Sequence, residues 1–410
     1  MEERTRGMSM QLLEKHLCGI MVIFLFFGER LQFLGIPYYA YAMIAYAVAR
    51  LRSNHFKINV HGFGKLSFAN SGSFAVFWLV VATIMLPFSM RIAGTRPYTY
   101  ALITCLTILI ITLSIENDDD LYLIMKYAMI GVLITLIVTG YEIYTGNHLY
   151  RFDEYYTRLG RNSAFGFQVN PNDHATVLVT CVFIVIFFIR KHKVISTALI
   201  AMTVALTMRT GARLAVYTLF VIGIEVLVLA LVSRLSARRA GVSKFINVFI
   251  FVFLGIALLM SFSVDRFLQM FSSSQEYLID YNRFILMGRA FGTISPLSFL
   301  LGNGSGVTMV RIGNVNIHSV LVEILCDNGI LVLVWLMYLV GRLFFSYTDD
   351  ISKGKRILFP CFATAFVLLC FESSSMMRIH PIWMMLAVML KVYLLEINRS
   401  ATDESVDAYS

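Results

Sequence analysis

Long apolar runs recur through this sequence, and they constrain its fold more than any other feature. Many of them reach or approach the roughly 18–20 residues that a helix needs to cross a bilayer. Only 14% of the 410 residues are charged and 58% are hydrophobic, whereas about a quarter of the residues in a soluble domain are charged. The sequence therefore excludes a soluble enzyme, a secreted disulfide scaffold and a disordered chain, and it predicts an all-α polytopic membrane protein.

The apolar runs predict about twelve transmembrane helices in a single membrane domain, residues 1–410. An even number of spans places both termini on the same side of the membrane. The predicted spans are 16–28, 32–49, 73–90, 97–115, 121–143, 174–189, 194–208, 212–232, 245–263, 318–340, 357–371 and 379–396.

Lysine and arginine set the predicted orientation. With the N-terminus inside, the inner segments carry nineteen of these residues and the outer segments carry thirteen, a bias that favours cytoplasmic termini. Met1–Lys15 is charged and no small-residue cleavage site follows it, which predicts an uncleaved first span. Topology therefore explains the net charge of +9, and no nucleic-acid partner is expected.

All of the predicted outer cations are arginines, and all ten lysines lie on or near the inner side. A planar guanidinium binds phosphate or carboxylate through two hydrogen bonds. This distribution favours an anionic substrate at the outer face. The alternative, that it arises by chance from the excess of arginine over lysine, stays open.

Two predicted outer segments, 144–173 and 263–317, are longer than ordinary connections between helices, which indicates a function for them. Within the second, Asp280–Gly292 has apolar residues at helical spacing and predicts an amphipathic helix on the membrane surface. Gly302–Gly306 follows, and a glycine-rich turn of this kind allows the backbone to approach another group closely. The apolar positions of the predicted helix are Phe284, Ile285, Met287, Gly288 and Phe291.

Two features suggest chemistry at the outer face. His318 stands at the outer start of predicted span ten, five residues before Glu323, where a histidine can act as a general base near neutral pH. Arg209 and Arg213 are four residues apart, which predicts one face of a helix and an anion between the two charges. Structural explanations stay open for both features: a histidine that hydrogen-bonds the preceding loop, and arginines that extend to lipid headgroups.

No metal and no cofactor are expected. The six cysteines lie in or beside apolar runs without metal-ligand spacing, which predicts buried free thiols. Asp118–Asp120 falls on the predicted inner side and indicates a solvated helix start. Asn170 and Pro171 likewise predict the start of a helix just before His174.

Four segments follow one another in an order and spacing that carry a family resemblance. Arg161–Ala175 has a Gly/Phe-rich stretch followed by Asn-Pro-Asn, and Thr210–Ala215 reads Thr-Gly-Ala-Arg-Leu-Ala. Asp280–Gly306 has an arginine-bearing helix, a proline and a Leu-Gly-x-Gly turn, and His318–Gly329 has a His…Leu…Glu…Gly pattern. Together these segments resemble the O-antigen ligase/polymerase family of bacterial envelope glycosyltransferases.

The sequence departs from the family pattern at three positions. Ala212 stands in place of serine and Leu214 in place of glycine within the Thr-Gly segment, and Ser319 replaces the asparagine that usually follows the histidine. The resemblance covers about residues 160–340, together with the overall arrangement of spans.

The resemblance implies a GT-C-like fold and a metal-independent, inverting glycosyl transfer at the periplasmic face of the bacterial inner membrane. The donor would be an oligosaccharide on a polyprenyl diphosphate, and the acceptor would be a hydroxyl group of a glycan or of lipid A-core. Membrane lipids would surround the protein. His318 would be the base, and Arg213 and Arg283 would stabilise the leaving diphosphate. Further substrate-binding residues implied are Arg209, Arg289, Arg161, Asn172, Gly304 and Glu323.

Three functions remain in competition. A polymerase of O-antigen or capsule repeat units is favoured, since two sizeable outer segments carry arginine. A ligase that moves the finished glycan to lipid A-core uses the same chemistry. A transporter or flippase of lipid-linked sugars would favour charges within the spans and an internal repeat, and the sequence shows neither.

Overall fold

The computed structural model describes residues 2–28, 30–34, 36–53, 68–149, 164, 166–168, 170–210, 212–235, 285–317, 319–346, 353–371 and 376–407. Within these ranges the protein is almost entirely helical. The α-helices in these ranges include α1 (Glu2–Phe26), α2 (Tyr38–Ser53), α3 (Ser71–Ile84), α4 (Leu86–Ile92), α5 (Arg96–Ser114), α6 (Asp118–Thr145), α7 (Pro171–Phe187), α8 (Lys193–Arg209), α9 (Arg213–Leu235), α10 (Pro296–Leu301), α11 (Val307–Arg311), α12 (Val320–Phe344), α13 (Lys353–Leu369) and α14 (His380–Asp407).

Several of these helices are able to cross a membrane. Helices α5, α6, α9, α12 and α14 are long and apolar enough, and the bent pair α3–α4 would be a sixth span. The prediction of an all-α protein with several membrane-spanning helices is therefore confirmed for the described residues. Helices occupy eleven of the twelve predicted span positions, while 245–263 lies outside the described residues. The number of twelve spans stays a prediction.

Three predicted spans have different boundaries or continuity in the structure. At the start of the predicted second span, Gln32–Phe33 (β1) instead pairs antiparallel with Ile36–Pro37 (β2). Helix α2 begins at Tyr38, directly after Pro37, because a proline inside a helix removes a backbone hydrogen bond and clashes with the preceding turn. The third span bends by 55° between α3 and α4, and the tenth is interrupted at Gly329.

The chain divides into two compact units. Unit 1 comprises residues 1–80, 99–216 and 375–392, and unit 2 comprises residues 81–98, 217–374 and 393–410. In unit 1, α1 packs on α2 and α6, and α6 packs on α7 and α8. In unit 2, α12 packs on α10, α11 and α13, and α4 packs on α11.

Two ion pairs join α1 to neighbouring helices of unit 1. Lys15 lies 2.5 Å from the buried carboxylate of Asp120, and Arg50 pairs with Glu14. The prediction of a solvated helix start at Asp118–Asp120 is therefore wrong for one residue, since Asp118 and Asp119 are exposed but Asp120 is buried against Lys15. The Asn117 side chain caps this helix by accepting the backbone N–H groups of Asp119 and Asp120.

The six cysteines are buried and free, as the sequence predicts. They lie in apolar helices or directly after one, where a thiol behaves as a small hydrophobic side chain. The residues are Cys18, Cys105, Cys181, Cys326, Cys361 and Cys370.

Candidate functional site

The interruption of α12 organises a polar site in unit 2. Gly329 has a φ of 85° and a ψ of 169°, a conformation outside the helical region that favours glycine. A Cβ atom at this position would lie 2.2 Å from the carbonyl oxygen of Leu300. The end of α10 therefore approaches α12 at the break, and only a residue without a side chain permits the contact.

Gly302–Gly306 fills the space beside the break. The backbone N–H of Asn303 donates to the carbonyl oxygen of Cys326 (2.8 Å), and that of Gly304 donates to the carbonyl oxygen of Asp327 (3.0 Å). These two carbonyls belong to the last turn before Gly329, where the interrupted helix leaves acceptors available. The predicted close approach of the glycine-rich turn is thus confirmed, and the group that it approaches is α12.

The carboxylate of Asp327 holds the other end of the turn. Oδ2 accepts the backbone N–H of Gly306 (2.6 Å) and Oδ1 accepts that of Thr308 (3.1 Å). Asp327 is buried, and an anionic acceptor at the start of the short helix α11 satisfies N–H groups that have no partner within the helix. We call Gly302–Gly306 together with Asp327 the Asp327 cradle.

Asn303 links the Asp327 cradle to neighbouring side chains. Its Nδ2 donates to the hydroxyl oxygens of Thr293 (3.1 Å) and Thr308 (3.3 Å). Its Oδ1 accepts a hydrogen bond from Arg311 (2.9 Å). These three hydrogen bonds fix the orientation of the Asn303 amide. The Asp327 cradle is therefore held by side chains as well as by the backbone.

Helix α4 supports the other side of the Asp327 cradle. The hydroxyl of Ser89 donates to the carbonyl oxygen of Ser305 (2.6 Å). A Cβ atom at Gly304 would lie 3.1 Å from the carbonyl oxygen of Met85, the residue at the bend between α3 and α4. Two interrupted helices therefore contribute to one polar site.

A helical stretch at 285–291 packs beside the start of α12. Its buried residues Leu286 and Ala290 form an apolar cluster with Ile312, Ile317 and Cys326. The apolar face predicted from the sequence is a different one, and Phe291 of that face is 47% exposed. Phe284, the first residue of that face, lies outside the described residues.

Three buried polar atoms near these elements have no hydrogen-bond partner among the residues that the structure describes. They are Ser305 Oγ in the Asp327 cradle, Asn328 Oδ1 beside it and Ser319 Oγ at the start of α12. Hydroxyl and amide oxygens of this kind can bind the hydroxyl groups of a polar ligand. The arrangement therefore offers uncharged hydrogen-bonding groups, while both oxygens of the Asp327 carboxylate already accept backbone N–H groups.

Seven of the nine predicted site residues fall into three groups. Gly304 belongs to the Asp327 cradle, Glu323 lies in the first turn of α12, and Arg289 is exposed on the 285–291 stretch. Asn172 is at the start of α7, where its N–H donates to the Asn170 side chain (2.9 Å), which confirms the predicted helix start. His318, Arg283 and Arg161 lie outside the described residues.

The predicted placement of Arg209 and Arg213 on one helix face is wrong. Helix α8 ends at Arg209 and α9 begins at Arg213, so the two residues belong to different helices. Thr210 closes α8 because its hydroxyl bonds to the carbonyl oxygen of Thr207 (2.7 Å) and accepts the N–H of Ala212 (3.3 Å). Arg209 is exposed. Only the backbone of Arg213 is described.

Asp327, Asn303 and Arg311 are members of the site that the sequence did not predict. A local signal for the break was present, because Asp327-Asn328-Gly329 is a turn-forming tripeptide inside an apolar run. No comparable sequence signal pairs Asp327 with Gly306 and Thr308, since that contact joins residues about twenty positions apart.

No protein-family model and no curated protein matches this sequence.

Proposed function

We propose that this chain is a bacterial inner-membrane polymerase that joins polyprenyl-diphosphate-linked repeat units of a surface polysaccharide. The observation that carries the proposal is the Asp327 cradle. It joins the Leu-Gly-x-Gly turn of one resemblance segment to the Glu…Gly part of the next, through the contacts of Asn303, Gly304 and Gly306 with α12. Such contacts support the view that these segments act as one site.

The proposed reaction is a single displacement at the anomeric carbon of the donor. The acceptor hydroxyl oxygen forms the new bond to this carbon, while the bond from the carbon to the diphosphate oxygen breaks and its electron pair leaves with the diphosphate. His318 takes the hydroxyl proton. Attack opposite the leaving group inverts the anomeric configuration, and the proposal assigns no metal to the reaction.

In this proposal, different polar groups bind the diphosphate, position the site and bind the sugar. Arg213 and Arg283 stabilise the negative charge that develops on the diphosphate, with Arg209, Arg289 and Arg161 as further phosphate contacts. Asp327 is a positioning residue, because both of its oxygens accept backbone N–H groups. The uncharged oxygens of Ser305 and Asn328 suit sugar hydroxyls.

A gene deletion tests the proposal directly. We expect the deletion strain to carry core with a single repeat unit, because a missing polymerase stops chain extension and leaves attachment intact. The measurement is the surface glycan separated on a gel. Bare core, with polymer accumulating on its lipid carrier, would instead identify a ligase. An unchanged glycan would contradict both enzymes.

The Arg213→Lys variant tests the proposed phosphate contact. We expect polymer formation to fall at least about tenfold, because lysine keeps the charge but lacks the two-pronged donor that matches a phosphate. Arg52→Lys is the matched control, since Arg52 is exposed in the last turn of α2 and has no assigned role. Polymer assembly is measured in membranes, and near-normal polymer in Arg213→Lys would show that this residue is only a surface anchor.

A transporter of lipid-linked sugars is the second candidate, and two structural observations favour it. The bend between α3 and α4 and the break in α12 resemble the discontinuous helices that line substrate sites in transporters. The leaflet on which the lipid-linked repeat unit accumulates in the deletion strain distinguishes the two functions. Loss of a transporter leaves the lipid-linked repeat unit on the inner leaflet, while loss of a polymerase leaves it on the outer leaflet, where an externally added lectin reaches it.

A further inference from the structure

Glu225 is a carboxyl group buried within a helix that is long and apolar enough to cross a membrane. It lies near the middle of α9, a 23-residue helix, and its side chain is 1% exposed. Ionisable residues within spans are costly, and they commonly mark proton or ion sites. This residue belongs to none of the segments that carry the family resemblance. It corrects the expectation that the spans carry no ionisable group, because it lies within predicted span 212–232.

The partners of Glu225 come from α13 and are uncharged. The hydroxyl of Thr364 donates to Oε1 (3.2 Å), and the thiol of Cys361 lies beside the same carboxyl. Thr364 and Cys361 are three positions apart, so they occupy one face of α13. Pro360 immediately precedes them and removes one backbone hydrogen bond from this part of the helix.

Oε2 of Glu225 has no hydrogen-bond partner among the described residues, although it is fully buried. Cys361 is the one titratable group of the described chain that contacts the carboxyl, and a thiol supplies no positive charge. An ionised carboxylate without a cation or several donors is strongly disfavoured in an apolar interior, where such groups take up a proton instead.

Two other carboxyl groups show how this protein accommodates a charge. Glu396 lies 2.5 Å from the ammonium group of Lys355. Glu142 is buried, but its Oε2 accepts the N–H of Gly166 (2.8 Å) and its Oε1 accepts that of Leu149 (3.2 Å). Both groups have the donors that a carboxylate needs, and Glu225 has a single hydroxyl and a weak thiol donor.

We infer that Glu225 is a proton-binding site within the membrane, with the proton on Oε2 and Thr364 donating to Oε1. Thr364 and Cys361 are positioning residues for this carboxylic acid. The inference rests on the surroundings of Glu225 alone and holds for a polymerase, a ligase or a transporter.

Infrared spectroscopy of the full-length protein in lipid nanodiscs tests this inference. We expect the wild type at neutral pH to show the C=O stretch of a protonated carboxylic acid, and Glu225→Gln to lose it. Raising the pH should remove the same band from the wild type. Glu396→Gln is the matched control and should keep the band, because Glu396 forms an ion pair. A wild type without this band at neutral pH would overturn the inference.

A second measurement uses only the wild-type protein, so its result does not depend on whether a variant folds. An apolar carbodiimide adds to the O–H of a protonated carboxyl group, so we expect one adduct at Glu225 by peptide mass spectrometry and none at Glu142. Labelling should decrease as the pH rises. Protection by sodium ions at constant pH would identify a metal-cation site in place of a proton site and would overturn the inference, as would absence of the adduct.

Discussion

His318→Ala abolishes chain extension in the reaction proposed here, leaving core with a single repeat unit and a normal amount of protein in the membrane. The expected loss is at least about a hundredfold, the usual contribution of a general base. The reason is that the acceptor hydroxyl must lose its proton as the new glycosidic bond forms. The measurement is the length distribution of the surface glycan in a deletion strain complemented with the variant.

The surroundings of this position make the experiment informative about chemistry. Ile317 and Ser319, the residues on either side of His318, are both buried, and the N–H of Val320 donates to the carbonyl oxygen of Cys370 (2.9 Å). The described residues that flank this position are therefore held by burial and by a backbone hydrogen bond. Removal of the imidazole ring should remove a proton acceptor while the contacts of these neighbours persist.

His192→Ala is the matched control for His318→Ala. His192 is exposed at the start of α8 and its side chain makes no capping hydrogen bond, so its removal should leave the glycan unchanged. Normal chain length in His318→Ala, at equal protein level, would exclude His318 as the base. Loss of the protein itself in His318→Ala, with His192→Ala unaffected, would assign the residue a structural role.

The positions of the helices could be predicted because they follow from burial of apolar side chains over many residues. Helices α5 and α6, for example, begin and end within three residues of the predicted spans. The interruption of α12 could not be predicted in the same way. A hydropathy window averages over Asp327-Asn328-Gly329, and the long apolar stretch that follows outweighs these three residues.

The candidate site was less predictable than the helices because its contacts join distant parts of the chain. The glycine-rich turn was recognised from its composition, but its partners are Asp327 on α12 and Ser89 on α4. Spacing within a helix also misled the prediction for Arg209 and Arg213, since Thr210 ends α8 between them. Local sequence predicts where a chain turns, and long-range packing decides what the turn contacts.

Gly302→Ala should destabilise the protein more than any other single methyl addition in the Asp327 cradle. The added Cβ would lie 2.2 Å from the carbonyl oxygen of Asp327 and 2.4 Å from the backbone nitrogen of Asn328. Both obstacles are backbone atoms, so α12 itself must move. Gly302 also has a φ of 84° and a ψ of 176°, a region that is essentially restricted to glycine. We expect the free energy of unfolding to fall by about 3–5 kcal/mol.

Gly313→Ala is the control that distinguishes the effect of the contact with α12 from the effect of backbone strain on stability. Gly313 also has a positive φ, 101°, but a Cβ atom there meets nothing within 4 Å. The expected cost is about 1–3 kcal/mol, from the backbone alone. Unfolding of the two variants in detergent, followed by circular dichroism, measures the difference. Equal destabilisation would show that contact with α12 contributes nothing, whereas a larger effect of Gly302→Ala, accompanied by loss of chain extension, would tie the Asp327 cradle to the proposed activity.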